Sequence, residues 1–485
     1  MTRIALMALV FSCLPVVAGS PNLVVIHTDE HNFRTLGCYR EVLPPGQKAI
    51  WGEEAVVETP HLDALAARGV LCTSFYATTP VCTPSRAAMM TGMSPHAAGS
   101  PTNNLPLRDG VLTFAEVLSR QGYATGYFGK WHLDGEGKPQ WGPKRKFGWD
   151  DNRYMFNRGH WKKFKETDNG PAVASLDRKG RPGYGVDGAD SKSFSTDWLV
   201  DRAIEFVKTN KENPFCAFVS LPDPHGPNTV RPPYDTMFDG VHFKDPGTMH
   251  KPKGSVPKWG RGQVSKLNQN SMQDYLGMVK CIDDNLGKLL GVLKREGVLD
   301  HTIVVFTSDH GDLMGEHARH DKGVPYEASA GVAFVAAGPG IARGKVVGEA
   351  LDMTDFGPSM LSVMGVENGM PEAHGRDASV LLAQGAAPAG WSDLVFLRST
   401  SKLDAASSWI AAVSDGWKLV LAPGEVPWLI NLKEDPDELA NVAAANPERV
   451  SRMASALKAW LKKTDDPSLK SETYRKMFSQ IASGK

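Results

Sequence analysis

The sequence predicts an α/β protein with a large, mostly parallel sheet flanked by helices, followed by a smaller C-terminal α+β domain built on an antiparallel sheet. Three observations indicate this fold class. Short apolar runs rich in β-branched residues alternate with helical segments through residues 19–385. Several of these runs end in ionisable side chains, which is typical of strands at a functional sheet edge. From Trp391 onward, short apolar runs are separated by Asp-Gly and Pro-Gly turns.

The first part of the chain contains two predicted strands and two predicted helices. The apolar run Asn22–Asp29, NLVVIHTD, predicts a buried strand. A helix follows in TPHLDALAARG, with Thr59 as its N-cap and Pro60 at its first position. The next helix begins after Thr113, which forms a capping-box pattern with Glu116. The run YATGYFGKWH then predicts a strand that continues into a loop.

The middle of the chain repeats this alternation. DWLVDRAIEFVK predicts an amphipathic helix, PFCAFVSLPDPHGP a strand followed by a Pro-rich loop, and DYLGMVKCIDDNLGKLLGVLKREG a long helix that ends at Gly297. TIVVFTSDHG and AGVAFVAAG predict two further strands. We therefore expect one large domain over residues 19–385. Over residues 386–485 we expect two or three antiparallel strands and a closing helix, PERVSRMASALKAWLKK.

The first 18 residues have the pattern of a secretory signal peptide, with Arg3, a short apolar run and small residues up to Ala18. We therefore expect an exported protein, periplasmic or secreted; the alternative is a buried first strand. Cys13 fits poorly as a lipid attachment site because Phe11 and Ser12 precede it. No internal run reaches the ~18–20 apolar residues of a membrane-spanning helix, so we expect no transmembrane segment.

Charge and cysteine content narrow the function classes. The 54 basic and 54 acidic side chains give a net charge of zero, which argues against a nucleic-acid binder. Of six cysteines, five remain after the leader, and their spacing matches no zinc motif. An odd number of cysteines in an exported chain leaves one thiol unpaired or altered, and Cys82 is our candidate.

Reactive side chains follow four predicted strands, at the edge where parallel sheets place their sites. Each one alone is consistent with a cap or a surface group, but four at one edge indicate a functional site. Carboxylates with an imidazole suit Ca²⁺ or Mg²⁺ better than zinc, and nearby cations would complete a pocket for a tetrahedral oxyanion. The strand-end groups are Asp29 with Glu30, Lys130 with His132, His225, and Asp309 with His310; the further cations are Arg86 and Lys322.

Cys82 lies at the predicted start of a helix, just before Thr83 and Pro84. Backbone donors and the dipole at a helix N-terminus favour an anion. Two alternatives are a buried structural cysteine and a thiolate nucleophile with a lowered pKa. Neither alternative explains why the neighbouring groups should be metal ligands and lysines.

The run CTPSR at 82–86 resembles the C-x-P-S-R signature of the type I sulfatases, within the alkaline phosphatase superfamily. GKWHL at 129–133, PHGP around His225 and TSDHGDLMGEH at 307–317 resemble the other motifs of this family, in the same order. The likeness extends from Asn22 to the segment LINLKEDPDELAN near the C-terminus. As a set these motifs are very specific, and residues 19–385 would form the catalytic domain.

The resemblance implies that a formylglycine-generating enzyme or an equivalent maturase oxidises Cys82 to formylglycine, an aldehyde that is used as its hydrate. One hydrate oxygen would attack sulfur and displace the alcohol, and the second hydroxyl would collapse to the aldehyde and expel sulfate. A sulfated serine has no geminal hydroxyl with which to do this. The chemistry is therefore covalent catalysis in two steps.

The resemblance also assigns roles by position in the motifs. Many relatives carry Asp at the position of Glu30, and Asn or Gln at that of His310, although the residues found here can also ligate a metal. The implied ligands of one Ca²⁺ ion are Asp29, Glu30, Asp309, His310 and residue 82. Arg86 would hold the hydrate, Lys130 and Lys322 would bind sulfate oxygens, His132 would be the base for sulfate release, and His225 would protonate the leaving alcohol.

A basic and aromatic segment at 142–165, GPKRKFGWDDNRYMFNRGHWKKFK, holds eight Lys or Arg against two Asp. One interpretation is a solvated loop. The other is a wall beside the active site that recognises a sulfated polysaccharide or oligosaccharide, because aromatic faces stack on sugars and cations attract anions. In this second interpretation the sugar-binding aromatics are Phe147, Trp149, Tyr154, Phe156 and Trp161, and the exposed cations include Lys162 and Lys163.

Two other functions compete with a glycan sulfatase. A phosphodiesterase or phosphonate monoester hydrolase of the same superfamily would use the same metal and cations on a phosphoryl group. A non-catalytic carbohydrate-binding protein would leave Cys82 unmodified. Release rates of sulfate and phosphate from matched aryl esters, and the mass of the Cys82 peptide, separate these possibilities.

Overall fold

The computed structural model describes residues 19–251, 256–367 and 369–484. The signal peptide predicted over residues 1–18, with Cys13, lies outside the described residues. Among the helices that the structure does describe, none is both long and apolar enough to cross a membrane.

The described strands form a large sheet, a four-stranded sheet and a small hairpin. The strand order of the large sheet is β10-β2-β9-β8-β1-β7-β3-β4, with β11 also paired to β2. The strands are β1 Asn22–Asp29, β2 Val70–Tyr76, β3 Ala124–Lys130, β4 Met155–Phe156, β5 Phe164–Thr167, β6 Gly170–Val173, β7 Phe215–Pro224, β8 Thr302–Ser308, β9 Gly331–Ala337, β10 Lys345–Val347, β11 Leu351–Asp352, β12 Val395–Arg398, β13 Ile410–Ser414, β14 Trp417–Leu421 and β15 Trp428–Asn431.

Helices cover both faces of the large sheet, which confirms the predicted α/β class. Successive residues of β1 point to opposite faces: Val24 and Ile26 pack in one apolar cluster, and Leu23 and Val25 in another. The helices are α1 Gly37–Val42, α2 Pro60–Ala67, α3 Cys82–Thr91, α4 Phe114–Arg120, α5 Ser195–Asn210, α6 Gln269–Arg295, α7 Glu327–Ala330, α8 Met353–Val363, α9 Ser379–Gln384, α10 Pro447–Lys463 and α11 Glu472–Ala482. Helices α2, α5 and α6 pack on the first face, and α3, α4 and α8 on the second.

Strand β9 makes the sheet mostly parallel rather than wholly parallel, because it runs antiparallel to both β8 and β2. No crossover helix carries the chain from β8 back across the sheet. The connecting residues 309–330 therefore remain at the edge where β8 ends. As a result, this long segment lies beside the carboxyl ends of β1, β3 and β7, all of which run parallel in neighbouring positions.

The C-terminal region contains four antiparallel strands, β12 to β15, and not the two or three expected. The additional strand arises because VFLR, before the first predicted turn, also pairs with β13. One face of this sheet packs on α10 and α11, and the other packs on residues that precede and form α7. The sheet thus covers the segment between β8 and β9.

Local signals are confirmed to different degrees. Thr113 and Glu116 form the predicted capping box of α4, and Gly297 follows α6 in a left-handed conformation, with φ of 76°. Thr59 precedes α2 but makes no capping hydrogen bond there. Instead, the Asp283 carboxylate of α6 accepts hydrogen bonds from the first amides of α2.

All five cysteines of the described residues are buried and free. The odd number of cysteines therefore does not identify Cys82 as the one unpaired thiol, because the other four described cysteines are also unpaired. What distinguishes Cys82 is its position, which the next section describes.

Candidate active site

The candidate site lies at the carboxyl edge of the large sheet, as the sequence predicts. Asp29 and Lys130 are the last residues of β1 and β3, and Asp309 with His310 directly follows β8. Cys82 is the first residue of α3, whose amino end points at this edge. These groups converge because β1 lies between β8 and β7, and β3 lies on the other side of β7.

Five buried residues form what we call the inner cluster: Asp29, Cys82, Arg86, Asp309 and His310. The Cys82 sulfur lies 3.2 Å from His310 Nε2 and 3.7 Å from Asp29 Oδ1. Cys82 is only 2% exposed and both carboxylates are fully buried. Buried charges need partners, and the other side chains of the cluster supply them.

Arg86 is the partner of both carboxylates. Its Nε donates to Asp309 Oδ2 at 2.9 Å and its Nη2 to Asp29 Oδ2 at 3.0 Å. Its Nη1 donates to the Ser220 hydroxyl and to the Lys130 carbonyl, each at 2.7 Å. Although burial acts in the opposite direction, Lys130 and Arg86 hold the pKa of Asp29 well below its usual value. Arg86 is therefore occupied in fixing the ligand carboxylates.

The inner cluster fits a divalent cation. One ligand atom each from Asp29, Cys82, Asp309 and His310 lies within 4.8 Å of the other three. His310 Nδ1 lies 2.9 Å from the Gly311 carbonyl, so Nδ1 carries the proton and the lone pair of Nε2 faces the cluster. With a thiolate this donor set would also suit zinc. With an oxygen at residue 82, three of the four donors are oxygens, which favours Ca²⁺.

A second group, which we call the outer cluster, consists of Glu30, His160, His225 and Lys322. Glu30 does not belong to the four-residue ligand group. Its Oε2 instead pairs with His225 Nε2 at 2.8 Å and Lys322 Nζ at 2.9 Å, and its Oε1 is buried without a partner. Its backbone is left-handed, with φ of 60°, and its N–H donates to Asp309 Oδ1 at 3.1 Å.

Lys322 is placed in the site from the segment between β8 and β9. Its Nζ lies 2.8 Å from His225 Nε2 as well as beside Glu30. His225 itself follows β7, at the predicted loop. Burial alone would lower the pKa of His225, but the Glu30 carboxylate raises it to about 9. The contact with Glu30 therefore favours the protonated ring, the form that can donate a proton.

His160 is a site residue that sequence reasoning missed. Its Nε2 lies 2.7 Å from Lys130 Nζ, and its ring stacks on His225 with centroids 3.5 Å apart. Lys130 also pairs with Asp29, so it links the inner and outer clusters. Burial and the nearby Lys130 hold the pKa of His160 well below its usual value, so the ring is neutral and accepts from the lysine. Only its position inside the segment 142–165 could have drawn attention to it.

His132 lies beside the amino end of α3, where its carbonyl accepts from the Thr83 hydroxyl at 3.0 Å. Its backbone is left-handed, with φ of 62°. Nε2 lies 3.0 Å from Asn104 Oδ1, while Nδ1 is buried without a partner. Burial and the charge of Lys130 hold its pKa well below the usual value. The pKa of His132 is thus lowered and that of His225 is raised, as expected of a base and an acid in one site.

The prediction of an aromatic wall in the segment 142–165 is wrong. The five aromatic side chains assigned to this wall are buried inside the protein, where Trp149 packs on α4 and Tyr154 on α5. They cannot stack on a sugar. The buried rings are Phe147, Trp149, Tyr154, Phe156 and Trp161.

Lys162 is also buried, and it pairs with Asp223 at 2.6 Å and donates to the His225 carbonyl at 3.0 Å. It therefore supports the loop that carries His225 from inside the protein. Lys163 is partly exposed and donates to the Asp187 carbonyl.

Known proteins share both the sequence pattern and the fold. The Sulfatase family profile matches residues 21–366. The ulvan-active sulfatase of Formosa agariphila is 31% identical over 379 residues, which cover 75% of this chain and 65% of that protein. This chain therefore spans a little less than two thirds of that relative.

Two solved structures have the same fold at low identity. A protein in complex with its substrate D-glucosamine-2-N,6-O-disulfate has a TM-score of 0.76 and 21% identity, covering 94% of this chain and 100% of its own. The phosphonate monoester hydrolase of Silicibacter pomeroyi has a TM-score of 0.69 and 21% identity, covering 93% and 96%. The fold alone thus does not separate the two reactions. The family profile covers most of the chain, and by this match the protein belongs to the sulfatase family, a family of sulfuric ester hydrolases.

Proposed function

We propose that this protein hydrolyses sulfate esters of a polysaccharide or oligosaccharide, with residue 82 converted from cysteine to formylglycine and one calcium ion bound. The observation that carries the proposal is the position of Cys82. It opens α3 in a buried pocket, with its sulfur between an imidazole and a carboxylate. The formylglycine hydrate would supply the attacking oxygen, and a calcium ion held by the inner cluster would supply positive charge beside the transferred group.

The charge balance of the site supports a bound divalent cation. Three buried carboxylates, Asp29, Glu30 and Asp309, face three cations, Arg86, Lys130 and Lys322. These six charges cancel, and a protonated His225 adds a single positive charge. A divalent cation would add two more and so favour the entry of an anionic ester. Asp29, Asp309, His310 and residue 82 would hold the ion. Glu30 would offer Oε1, its buried oxygen without a partner.

Two lysines and Arg86 would organise the reacting groups. Lys130 and Lys322 both end in the space between the inner and outer clusters, where their ammonium groups would bind sulfate oxygens. Arg86 would hold residue 82 in place through Asp29 and Asp309 and from its own position one turn along α3. Fixed donors aimed at the developing charge of the transition state lower its energy without reorganisation.

His225 and His132 would move the protons. His225, charged through its contact with Glu30, would give its Nε2 proton to the departing alcohol oxygen. His132, neutral because it is buried near Lys130, would accept a proton at Nδ1 during release of sulfate. Asn104 holds the opposite nitrogen and so keeps the proton on Nε2.

The substrate class rests on similarity to two proteins. One relative is named for its action on ulvan, and one structural neighbour is described with a sulfated glucosamine as its substrate. We extend this to a sulfated glycan for the present chain. Export of the protein through residues 1–18, a maturase as its partner, and a division into a catalytic domain at 19–385 and a subdomain at 386–485 complete the proposal.

A phosphodiesterase or phosphonate monoester hydrolase is the second candidate. The observation in its favour is the fold shared with the phosphonate hydrolase of Silicibacter pomeroyi. A metal ion beside lysines suits phosphoryl as well as sulfuryl groups, so the inner cluster alone does not exclude it.

The test combines mass spectrometry with a substrate panel. The Cys82 peptide of the purified protein should have the lower mass of the aldehyde. The modified protein should release sulfate from sulfated mono- and oligosaccharides faster than phosphate or phosphonate from matched aryl esters. An unmodified Cys82 in a protein that still hydrolyses sulfate esters would overturn the aldehyde mechanism, and preferred release of phosphate would favour the second candidate.

A further inference from the structure

We infer that the C-terminal sheet positions Lys322, through the indole of Trp409 and the ammonium of Lys418. The inference rests on the proposed function, in which Lys322 binds the sulfate group. It assigns a role in substrate binding to residues of a different sheet, which do not themselves contact the site.

The backbone on both sides of Lys322 has an unusual conformation. Asp321 and Gly323 are both left-handed, with φ of 61° and 92°. For Asp this conformation costs about 1 kcal/mol, and Gly adopts many alternatives. A Cβ at Gly323 would meet no atom within 4 Å, so close packing does not hold this residue. Such a segment keeps one conformation only when neighbouring structure fixes it.

On the side of Lys322 that leads back to β8, a backbone hydrogen bond holds the preceding residue. The N–H of Leu313 donates to the Asp321 carbonyl at 2.9 Å. This bond ties the residue before Lys322 to the start of the same segment, which itself leaves β8.

The C-terminal sheet fixes the other side of Lys322. The Nε1–H of Trp409, the residue before β13, donates to the Gly323 carbonyl at 3.1 Å. Lys418, on the adjacent strand β14, donates from Nζ to the Pro325 carbonyl at 2.6 Å. Trp409 and Lys418 are both buried. Two donors from one sheet thus reach two carbonyls within three residues of Lys322.

Charge pairing makes this attachment rigid. Lys418 forms ion pairs with Glu327 of α7 at 2.6 Å and with Glu438 at 2.8 Å. Glu438 also accepts the backbone N–H of Glu327 at 2.6 Å. Loss of Lys418 would leave both carboxylates without their cation, so the lysine holds the two acidic groups in one arrangement. Val324 and Tyr326 pack in the same apolar cluster as Trp409.

Position matters at Lys322 because its ammonium group has close partners. Nζ lies 2.9 Å from Glu30 Oε2 and 2.8 Å from His225 Nε2. A shift of about 1 Å in a positioning group is enough to weaken binding and catalysis severely. Release of the Gly323 carbonyl should therefore weaken sulfate binding, although Trp409 touches no substrate.

The test is Trp409→Phe, which removes the N–H donor and keeps an aromatic ring. The inhibition constant of inorganic sulfate should rise about three- to tenfold, the effect of one lost hydrogen bond. Trp428→Phe is the matched control, because Trp428 lies in the same apolar cluster and packs on Trp259. It should lower the melting temperature similarly and leave sulfate inhibition unchanged. Gly323→Ala disturbs the same peptide without touching the C-terminal sheet and should also weaken inhibition.

The double variant with Lys322→Ala shows whether Trp409 acts on sulfate binding through Lys322. If Trp409→Phe acts through Lys322, it should add nothing to the inhibition constant when Lys322 is already alanine. An equal effect of the two tryptophan variants, or an undiminished effect of Trp409→Phe in the Lys322→Ala protein, would overturn the positioning role and leave the proposed function intact. If Lys322→Ala itself bound sulfate normally, the proposed role of Lys322 would be wrong.

Discussion

The inner and outer clusters touch each other but are built differently. The inner cluster takes its residues from the ends of β1 and β8 and from the first two turns of α3, and all of them are buried. Three members of the outer cluster come from loops: His160, His225 and Lys322. Lys322 and His225 keep 15% and 17% of their side chains exposed. Regular elements fix the inner cluster directly, whereas the outer cluster depends on partners elsewhere, such as Lys162 and Trp409.

The largest expected effect is on the inner cluster at Cys82. Cys82→Ala and Cys82→Ser should both reduce kcat by several orders of magnitude, because neither side chain can become an aldehyde hydrate. Both proteins should fold, since the changes are small and leave Arg86 paired with its carboxylates. Steady-state kinetics on an aryl sulfate and thermal melts check this. A fully active Cys82→Ser protein would mean that the aldehyde is not needed.

Removal of the metal should also affect the whole inner cluster. Chelation should abolish turnover and lower the melting temperature, because an ion that binds only the folded state stabilises it, by about 2.7 kcal/mol at a hundredfold excess over Kd. Readdition of Ca²⁺ should restore both. Asp309→Asn, which keeps the shape but loses the charge, should weaken the response to added Ca²⁺. Normal turnover by a metal-free preparation would contradict this assignment of ligands.

A smaller and selective effect is expected in the outer cluster. His225→Ala should reduce turnover of a sugar sulfate by about 10²–10⁴-fold, the usual contribution of a general acid. An activated aryl sulfate has a good leaving group and needs the proton less, so its turnover should fall much less. An equal loss on both substrates would indicate that His225 binds or supports the site and does not donate a proton.

Two neighbouring lysines outside both clusters take no direct part in the proposed reaction and should differ in their effect on stability. Lys162→Ala leaves Asp223 buried without its partner, and should destabilise the protein by about 3–5 kcal/mol. Lys163→Ala should leave the free energy of unfolding nearly unchanged, because Lys163 is partly exposed. Denaturant melts check both. Equal stability of the two variants would show that the buried ion pair contributes little.

The contrast between the clusters also explains what could be predicted from the sequence. Groups at strand ends were found because the edge of a parallel sheet is determined by the order of strands and helices. Asp29, Lys130 and Asp309 needed no knowledge of distant contacts. The C-terminal sheet was predicted from its turns, although VFLR was too short a run to be recognised as a fourth strand.

The site and core residues that could not be predicted from the sequence depend on contacts between distant segments. His160 reaches Lys130 only because β4 returns the chain to the end of β3. The aromatic residues of 142–165 alternate with cations in a way that also fits an exposed wall, but Tyr154 and Phe164 pack on Trp198 of α5. Lys162 looks like a surface cation until Asp223, 61 residues away, is placed beside it.

The burial of Cys82 has a consequence for the biogenesis of the protein. In the folded chain Cys82 is 2% exposed at the amino end of α3, out of reach of another enzyme's active site. The proposed maturase would therefore have to act before the chain folds, in competition with the folding of the large sheet. Any change that speeds folding should lower the modified fraction, so faster folding and full activation are opposed in this protein.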